Sequence, residues 1–153
     1  MNVRLIAVGK IREKYIAAAL DDFRKRIRPY FTFEELEVKA ADGSIPAKAV
    51  ADESQRILKL IEPADVVWLL ERTGAQLESP QLAQKLTQLA DAGTARLVLV
   101  IAGTYGTAPA LAARAQFLWS LSPLTFLHEW ARALVLEQLY RAAKIARNEP
   151  YHH

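Results

Sequence analysis

The sequence predicts an α/β domain built on a mostly parallel sheet flanked by helices. Two runs, Val66-Val67-Trp68-Leu69-Leu70 and Leu97-Val98-Leu99-Val100-Ile101, are apolar at every position, as strands buried on both faces are. Segments of helical periodicity stand between the β-rich runs. Connections are short, with no internal repeat or composition break, so the 153 residues form a single domain, 1–153, with right-handed crossovers.

Each element has its own warrant. Val3 to Val8, closed by Gly9, is a buried strand. From Arg12 to Arg28 the spacing turns helical, with Tyr15, Ala19, Phe23 and Ile27 forming one face, and Pro29 ends it. Its last turn carries Arg24, Lys25, Arg26 and Arg28, which suit either the negative end of the helix dipole or contacts to phosphate. Phe31 to Val38 alternates, with Glu34, Glu35 and Glu37 outward, as in a strand with one wet face or at a sheet edge. After the loop Ala40 to Ser44, residues 46–61 form a helix capped by Ser44, with Val50, Ser54, Ile57, Leu58 and Ile61 inward and Pro63 closing it.

The Val66 strand leads into a polar loop, Glu71 to Glu78. Ser79-Pro80 starts the next helix, the hydroxyl as N-cap and proline at the first helical position. It runs to about Ala90, with Gly93 just beyond. The Leu97 strand breaks into Ala102-Gly103-Thr104-Tyr105-Gly106. A second apolar segment, Phe117 to Leu127, precedes a long helix from His128 to Arg147.

Composition narrows the function classes. A chain that is 52% apolar is not disordered. No apolar run reaches the roughly 18 residues that span a bilayer. Met1-Asn2-Val3-Arg4 enters a strand pattern without a cleavage site, unlike a signal peptide. The absence of cysteine excludes disulfides and thiolate metal sites and fits a reducing cytoplasm. The net charge of +3 is uneven: residues 1–30 carry +5, residues 31–93 carry −5 and residues 94–153 carry +3. Basic ends around an acidic middle fit either a polyanionic partner or ordinary solvated surface.

The loops after buried strands are where open α/β sheets hold ligands. Gly103 and Gly106 follow such a strand and permit close backbone approach to a ligand, or simply a turn. Neither dinucleotide nor P-loop fingerprint is present. Gly103-Thr104-Tyr105-Gly106 matches the GXXG loop of KH domains, but that loop joins two helices and this one follows a strand. His128-Glu129-Trp130-Ala131-Arg132 falls one residue short of H-E-x-x-H, and arginine cannot ligate zinc, so no metal is expected. His128 and Arg132 share a helical face at a positive helix end, an arrangement suited to anions or an electron-rich base. The helix itself is apolar around most of its circumference, through Trp130, Leu134, Val135, Leu136, Leu139, Tyr140 and Ile145, as if covered by a second copy. Arg141, Lys144 and Arg147 form a basic stripe, and Tyr151 beside His152 pairs a stacking ring with a titratable group.

Together these features resemble the SPOUT-class methyltransferases, and more narrowly the bacterial large-subunit (23S) ribosomal RNA pseudouridine N3-methyltransferase family. The resemblance rests on Val3-Arg4-Leu5-Ile6-Ala7-Val8-Gly9-Lys10, the stretch from Leu70 to Pro80, Gly103-x-x-Gly106, Ser120-Leu121-Ser122-Pro123-Leu124-Thr125-Phe126, then His128, Arg132, Tyr140-Arg141-Ala142-x-x-Ile145 and Pro150-Tyr151-His152. It implies a C-terminal trefoil knot and S-adenosyl-L-methionine held by Leu70, Gly103, Ser122, Pro123, Leu124, Thr125, Phe126 and Leu127. It implies a cytoplasmic homodimer acting on 23S rRNA in the assembled ribosome. The chemistry of the transfer then casts Tyr151 and His152 as orienting the base, Arg132 as holding RNA phosphate or the base carbonyls, and His128 as lining the pocket, with His128, His152 or solvent accepting the N3 proton. Two positions depart from the family pattern: Ala102 replaces the first of two glycines, and Leu127 replaces the proline before the histidine. The competing classes are a non-catalytic dimeric RNA- or ribosome-binding module and a small-molecule α/β enzyme. The latter leaves the basic stripe without a purpose.

Overall fold

The computed structural model describes residues 1–151. Five strands and five helices follow in the order β1 (Asn2–Val8), α1 (Lys14–Ile27), β2 (Thr32–Val38), α2 (Pro46–Leu58), β3 (Val66–Gln76), α3 (Ser79–Asp91), β4 (Arg96–Ile101), α4 (Pro109–Arg114), β5 (Phe117–Ser120) and α5 (His128–Ala146). All pair in parallel, in the order β2-β1-β4-β3-β5.

The central strands bury both faces, so alternate residues feed two cores. Leu5, Leu99 and Trp68 are in register and face one core, with Ile16 and Leu20 of α1, Leu82 and Leu86 of α3, and Val135, Leu136 and Leu139 of α5. Ile6, Val100 and Leu69 face the other, with Ile57 of α2 and Leu111 of α4. The crossovers through α1 and α3 step toward β2 and those through α2 and α4 step toward β5. Opposite steps use opposite faces, as crossovers of one hand require.

Several local expectations are corrected. The inward row of α1 is Ile16, Leu20 and Ile27, while Tyr15 is 56% exposed and lies against Trp130, ring centroids 5.9 Å apart. In α2 the buried residues are Ala49, Glu53, Ser54 and Ile57; the cap position is Ile45, and Ser44 does not cap. The α3 N-cap is Glu78, not Ser79: Glu78 and Gln81 exchange side-chain and backbone bonds in a capping box, with Pro80 in the first turn. The expected polar loop after Leu70 is strand in part. β3 bulges between Leu70 and Ala75, both of which register with Trp119, and then continues to Gln76. Gly74 is required inside that bulge, because a Cβ there would lie 2.5 Å from the Leu118 carbonyl oxygen. The short helix α4 has no counterpart in the sequence reading.

The apolar girth of α5 is explained largely within the chain. α1 and α3 cover its Val135, Leu136, Leu139 and Ala142, leaving Trp130 as its exposed large apolar side chain. The basic stripe is partnered. Arg141 holds Glu137, Lys144 holds Glu149, and Arg147 donates to the Pro29 carbonyl. At the end of α1, Arg24 pairs with Asp21 and Glu35 and Arg26 pairs with Asp22.

Candidate active site

The C-terminal ends of β3, β4 and β5 open into one cleft of about 690 Å³. Leu70, Glu71 and Arg72 come from the β3 bulge, and Ala102 to Gly106 from the turn after β4. Trp119 and Leu121 belong to β5 and its exit, and Ser122, Leu124 to Leu127, His128 and Ala131 to the connection into α5. Of the residues expected to hold a cofactor, Leu70, Gly103, Ser122, Leu124, Thr125, Phe126 and Leu127 line this cleft. Pro123 does not line it, but its carbonyl accepts a long bond of 3.5 Å from Arg72 at the rim.

Each wall is held by its own bonds. The Ser120 hydroxyl donates to the Arg72 carbonyl at 2.9 Å, tying the bulge to β5. The Gly106 amide donates to the Gly103 carbonyl at 3.1 Å, and Gly106 has φ +93°, a conformation that favours glycine. The Leu124 amide donates to the Ser122 hydroxyl at 3.1 Å, turning the chain after β5. The walls are mainly apolar, with Leu70, Ile101, Trp119, Leu121, Phe126 and Leu127, while backbone groups of two loops and the charges of Glu71 and Arg72 supply polarity. Such a lining suits an aromatic ring with a polar, zwitterionic tail.

The Gly103 turn packs closely on a residue the sequence reading did not single out. A Cβ on Gly103 would sit 2.2 Å from Oε2 of Glu53. Glu53 is only 6% exposed, and its Oε1 accepts the Ala41 amide at 2.9 Å. The signal was present: stepping back by fours from Ile57 reaches Glu53 and Ala49, a carboxylate within an apolar row.

His128 opens α5 and reaches across to β1, with Nε2 3.4 Å from where a Cβ on Gly9 would stand. Gly9 has φ +85°. Arg132 lies one turn later and is fully buried. It donates to the carbonyls of Val8 and Gly9 and to Glu37 at 3.0 Å, with Glu35 at 3.5 Å. The anion-facing surface expected from His128 and Arg132 is therefore not formed, because the guanidinium turns inward and clasps the end of β1. Between them Glu129 accepts the Arg12 and Glu13 amides at 3.1 and 3.2 Å and so caps α1. Burial pushes the Glu129 carboxyl up, but those two amides, with His128 and Arg132 nearby, hold it below the usual carboxylate range.

Tyr151 stands away from the cleft. Its hydroxyl donates to Glu137 at 2.6 Å and its ring lies under the Arg141 guanidinium at 3.8 Å. Burial and then the Glu137 carboxylate raise its phenol above the ordinary value. Glu137 is nine residues along α5 from His128, about 14 Å at 1.5 Å per residue. His152 lies outside the described residues.

Comparison with known proteins agrees with this architecture. The family described as predicted SPOUT methyltransferase matches residues 1–152. Proteins named ribosomal RNA large subunit methyltransferase H are similar along their whole length. That of Pelobacter propionicus is 44% identical, with 100% of each chain covered, and that of Moorella thermoacetica 40%, with 99% of each. That of Dictyoglomus thermophilum is 34% identical, again with 100% of each chain covered. With a parallel sheet, a cleft at its strand ends and a match along nearly the whole chain, this protein belongs to the SPOUT methyltransferase family.

Proposed function

We propose that this protein transfers a methyl group from S-adenosyl-L-methionine to N3 of a pseudouridine in 23S rRNA of the assembled ribosome. The observation that carries the reading is the cleft, where seven of the eight expected cofactor residues converge from three strand ends. The relatives' name, ribosomal RNA large subunit methyltransferase H, supports a large-subunit RNA substrate.

Bound S-adenosylmethionine supplies a methyl group already activated by its sulfonium. Leu70, Ile101, Trp119, Phe126 and Leu127 offer the apolar walls for its purine. Backbone groups around Gly103 and from Ser122 to Leu127 offer its hydrogen bonds, and Glu71 and Arg72 its charged tail. Fixing both reactants in line supplies a large share of the barrier reduction, on the order of 7–11 kcal/mol at best. His128 borders the reacting base. Arg132 acts at one remove, by fastening the first turns of α5 to the end of β1.

Two features support a homodimer. Leu124 and Leu127 at the cleft, and Trp130 and Tyr15 in contact at the starts of α5 and α1, are exposed large apolar groups. Tyr151 is too far along α5 to serve its own cleft, so Tyr151 and His152 orient the base in the cleft of a second copy. The C-terminal knot is supported by the path from β5 at one sheet edge back to the α1 and α3 face. The place of action is the cytoplasm, where ribosomes are.

The test is calorimetric titration with S-adenosylmethionine, followed by transfer of labelled methyl to ribosomes and to protein-free 23S rRNA. Saturable binding and transfer to one pseudouridine of the ribosome are expected. A folded protein that binds ribosomes but not the cofactor would instead be the non-catalytic RNA-binding module.

A further inference from the structure

A second, smaller pocket of about 100 Å³ adjoins the cleft. It lies between the ends of β1 and β4, where the chain leaves β1 toward β2 and leaves β4 toward β5. That divergence is the topological switch point at which open α/β sheets bind ligands. Gly103, Thr104, Tyr105 and His128 line both cavities, which meet along that turn. It is far smaller than the cleft and suits a small flat group such as a single six-membered ring.

Its floor carries an unusual group. Glu53 is more than nine-tenths buried, and Oε1 is engaged by the Ala41 amide. Oε2 has no hydrogen-bond donor among the described residues and lies beneath Gly103. Oε2 is open to the pocket, where the N–H or O–H of a ligand can take the place of water. A phosphate is refused by the same charge.

We propose that the target base enters this pocket by its imide edge and that Oε2 of Glu53 accepts its N3 proton. The inference rests on the N3-methyltransferase reading above and names the group that receives the proton. N3 first gives its proton to the carboxylate and keeps the electron pair of the N–H bond, and the resulting imide anion then gives that pair to the methyl carbon. The carbon–sulfur bond breaks with its pair remaining on sulfur, so the sulfonium charge disappears and the proton remains on Glu53. The proton then passes from Glu53 to solvent past Ala40, an exposed residue of the pocket lining.

The test uses full-length Glu53→Gln and Ala40→Phe proteins. Ala40 is exposed and lines the pocket, so the larger ring obstructs it without entering the core. Cofactor affinity is measured by calorimetry, and kcat and KM are measured on ribosomes. Glu53→Gln is expected to bind S-adenosylmethionine within about twofold of the parent and to lose about 10²–10⁴-fold in kcat, the range for a positioned base. Ala40→Phe is expected to bind the cofactor normally and lose at least about tenfold in kcat/KM for ribosomes, as a blocked site would. A Glu53→Gln protein with unchanged kcat overturns the proposal. So does one that loses cofactor affinity in step with kcat, since Glu53 would then only support the Gly103 turn. Should Glu53→Gln not fold, unchanged kcat/KM in Ala40→Phe overturns the pocket. If the parent methylates ribosomes while these variants behave like it, only the Glu53 assignment falls. If the parent transfers no methyl at all, the functional reading falls and takes this one with it.

Discussion

A methyl group placed on Gly103 would meet Oε2 of Glu53 at 2.2 Å and its carboxyl carbon at 3.0 Å. Glu53 cannot withdraw freely, because its other oxygen is bonded to the Ala41 amide. Gly103→Ala is therefore expected to cost about 1–3 kcal/mol, the usual range for overpacking, and to weaken cofactor binding by displacing the turn. Thermal unfolding and calorimetry check the two effects. A Gly103→Ala protein with parental stability and affinity would contradict the packing described for this turn. Arg132 presents the opposite case, a charge that must be there. Its removal leaves two β1 carbonyls and the Glu35 and Glu37 carboxylates without their cation. Arg132→Leu is expected to destabilise the fold by about 3–5 kcal/mol, as when one partner of a buried pair is lost. Arg132→Lys restores only part, since an ammonium lacks the planar fork that spans carbonyls and carboxylates together. Urea unfolding of both variants measures the difference.

Among the elements, β3 and β4 are joined at their starts by a two-bond pair between Arg96 and Asp65, at 2.7 and 3.0 Å. Burial raises the Asp65 carboxyl, but the Arg96 bonds, the hydrogen bond with the Glu62 amide and the charges of Arg96 and Arg4 hold it below its ordinary value. A carboxyl depressed on folding stabilises above its unfolded value, about 3.9, and that stabilisation is lost as pH falls through the lower folded value. The parent is thus expected to lose more stability between about pH 5 and pH 2 than Asp65→Asn does. Urea midpoints at pH 6 and pH 3 report this, and equal slopes for the two proteins would refute it. α5 depends on its neighbours similarly. Glu129 caps α1 from another element, and Arg132 fixes the same turn to β1, so the first turns of α5 are tied down at two points.

For the whole molecule, the decisive surface is the exposed apolar group beside the cleft. Leu124 is 72% exposed, Leu127 63% and Trp130 37%, with Tyr15 against the Trp130 ring. Tyr15→Asp with Trp130→Asp is expected to shift the proposed dimer to monomer in sedimentation. Its fold should persist, because neither side chain belongs to the two cores. Methyl transfer should fall by at least about tenfold if a second copy completes each cleft, in line with the cost of a misplaced substrate. Among the described residues no helix is long and apolar enough to cross a membrane, so this patch is not part of such a span.

The sequence by itself determined the α/β class, four of the five strands and the helices between them, because full burial leaves uninterrupted apolar runs and helices leave a 3.6-residue rhythm. It also brought forward the loops that meet in the cleft, since these follow the buried strands and are rich in turn formers. β5 was absorbed into a longer apolar stretch, and the six-residue α4 is too short to show a period. Tertiary structure alone decided what the charged residues do. His128 and Arg132 share a helical face in sequence, yet one borders the cleft and the other is buried on β1, because the strand end offers carbonyls, and β2 carboxylates, that the guanidinium bonds together. Glu53 and Gly103 are fifty residues apart and meet only when α2 and the end of β4 pack together, so neither reveals the other in one dimension. Periodicity is local, and it tells which side of an element turns inward; which group waits there is settled by the other elements of the fold.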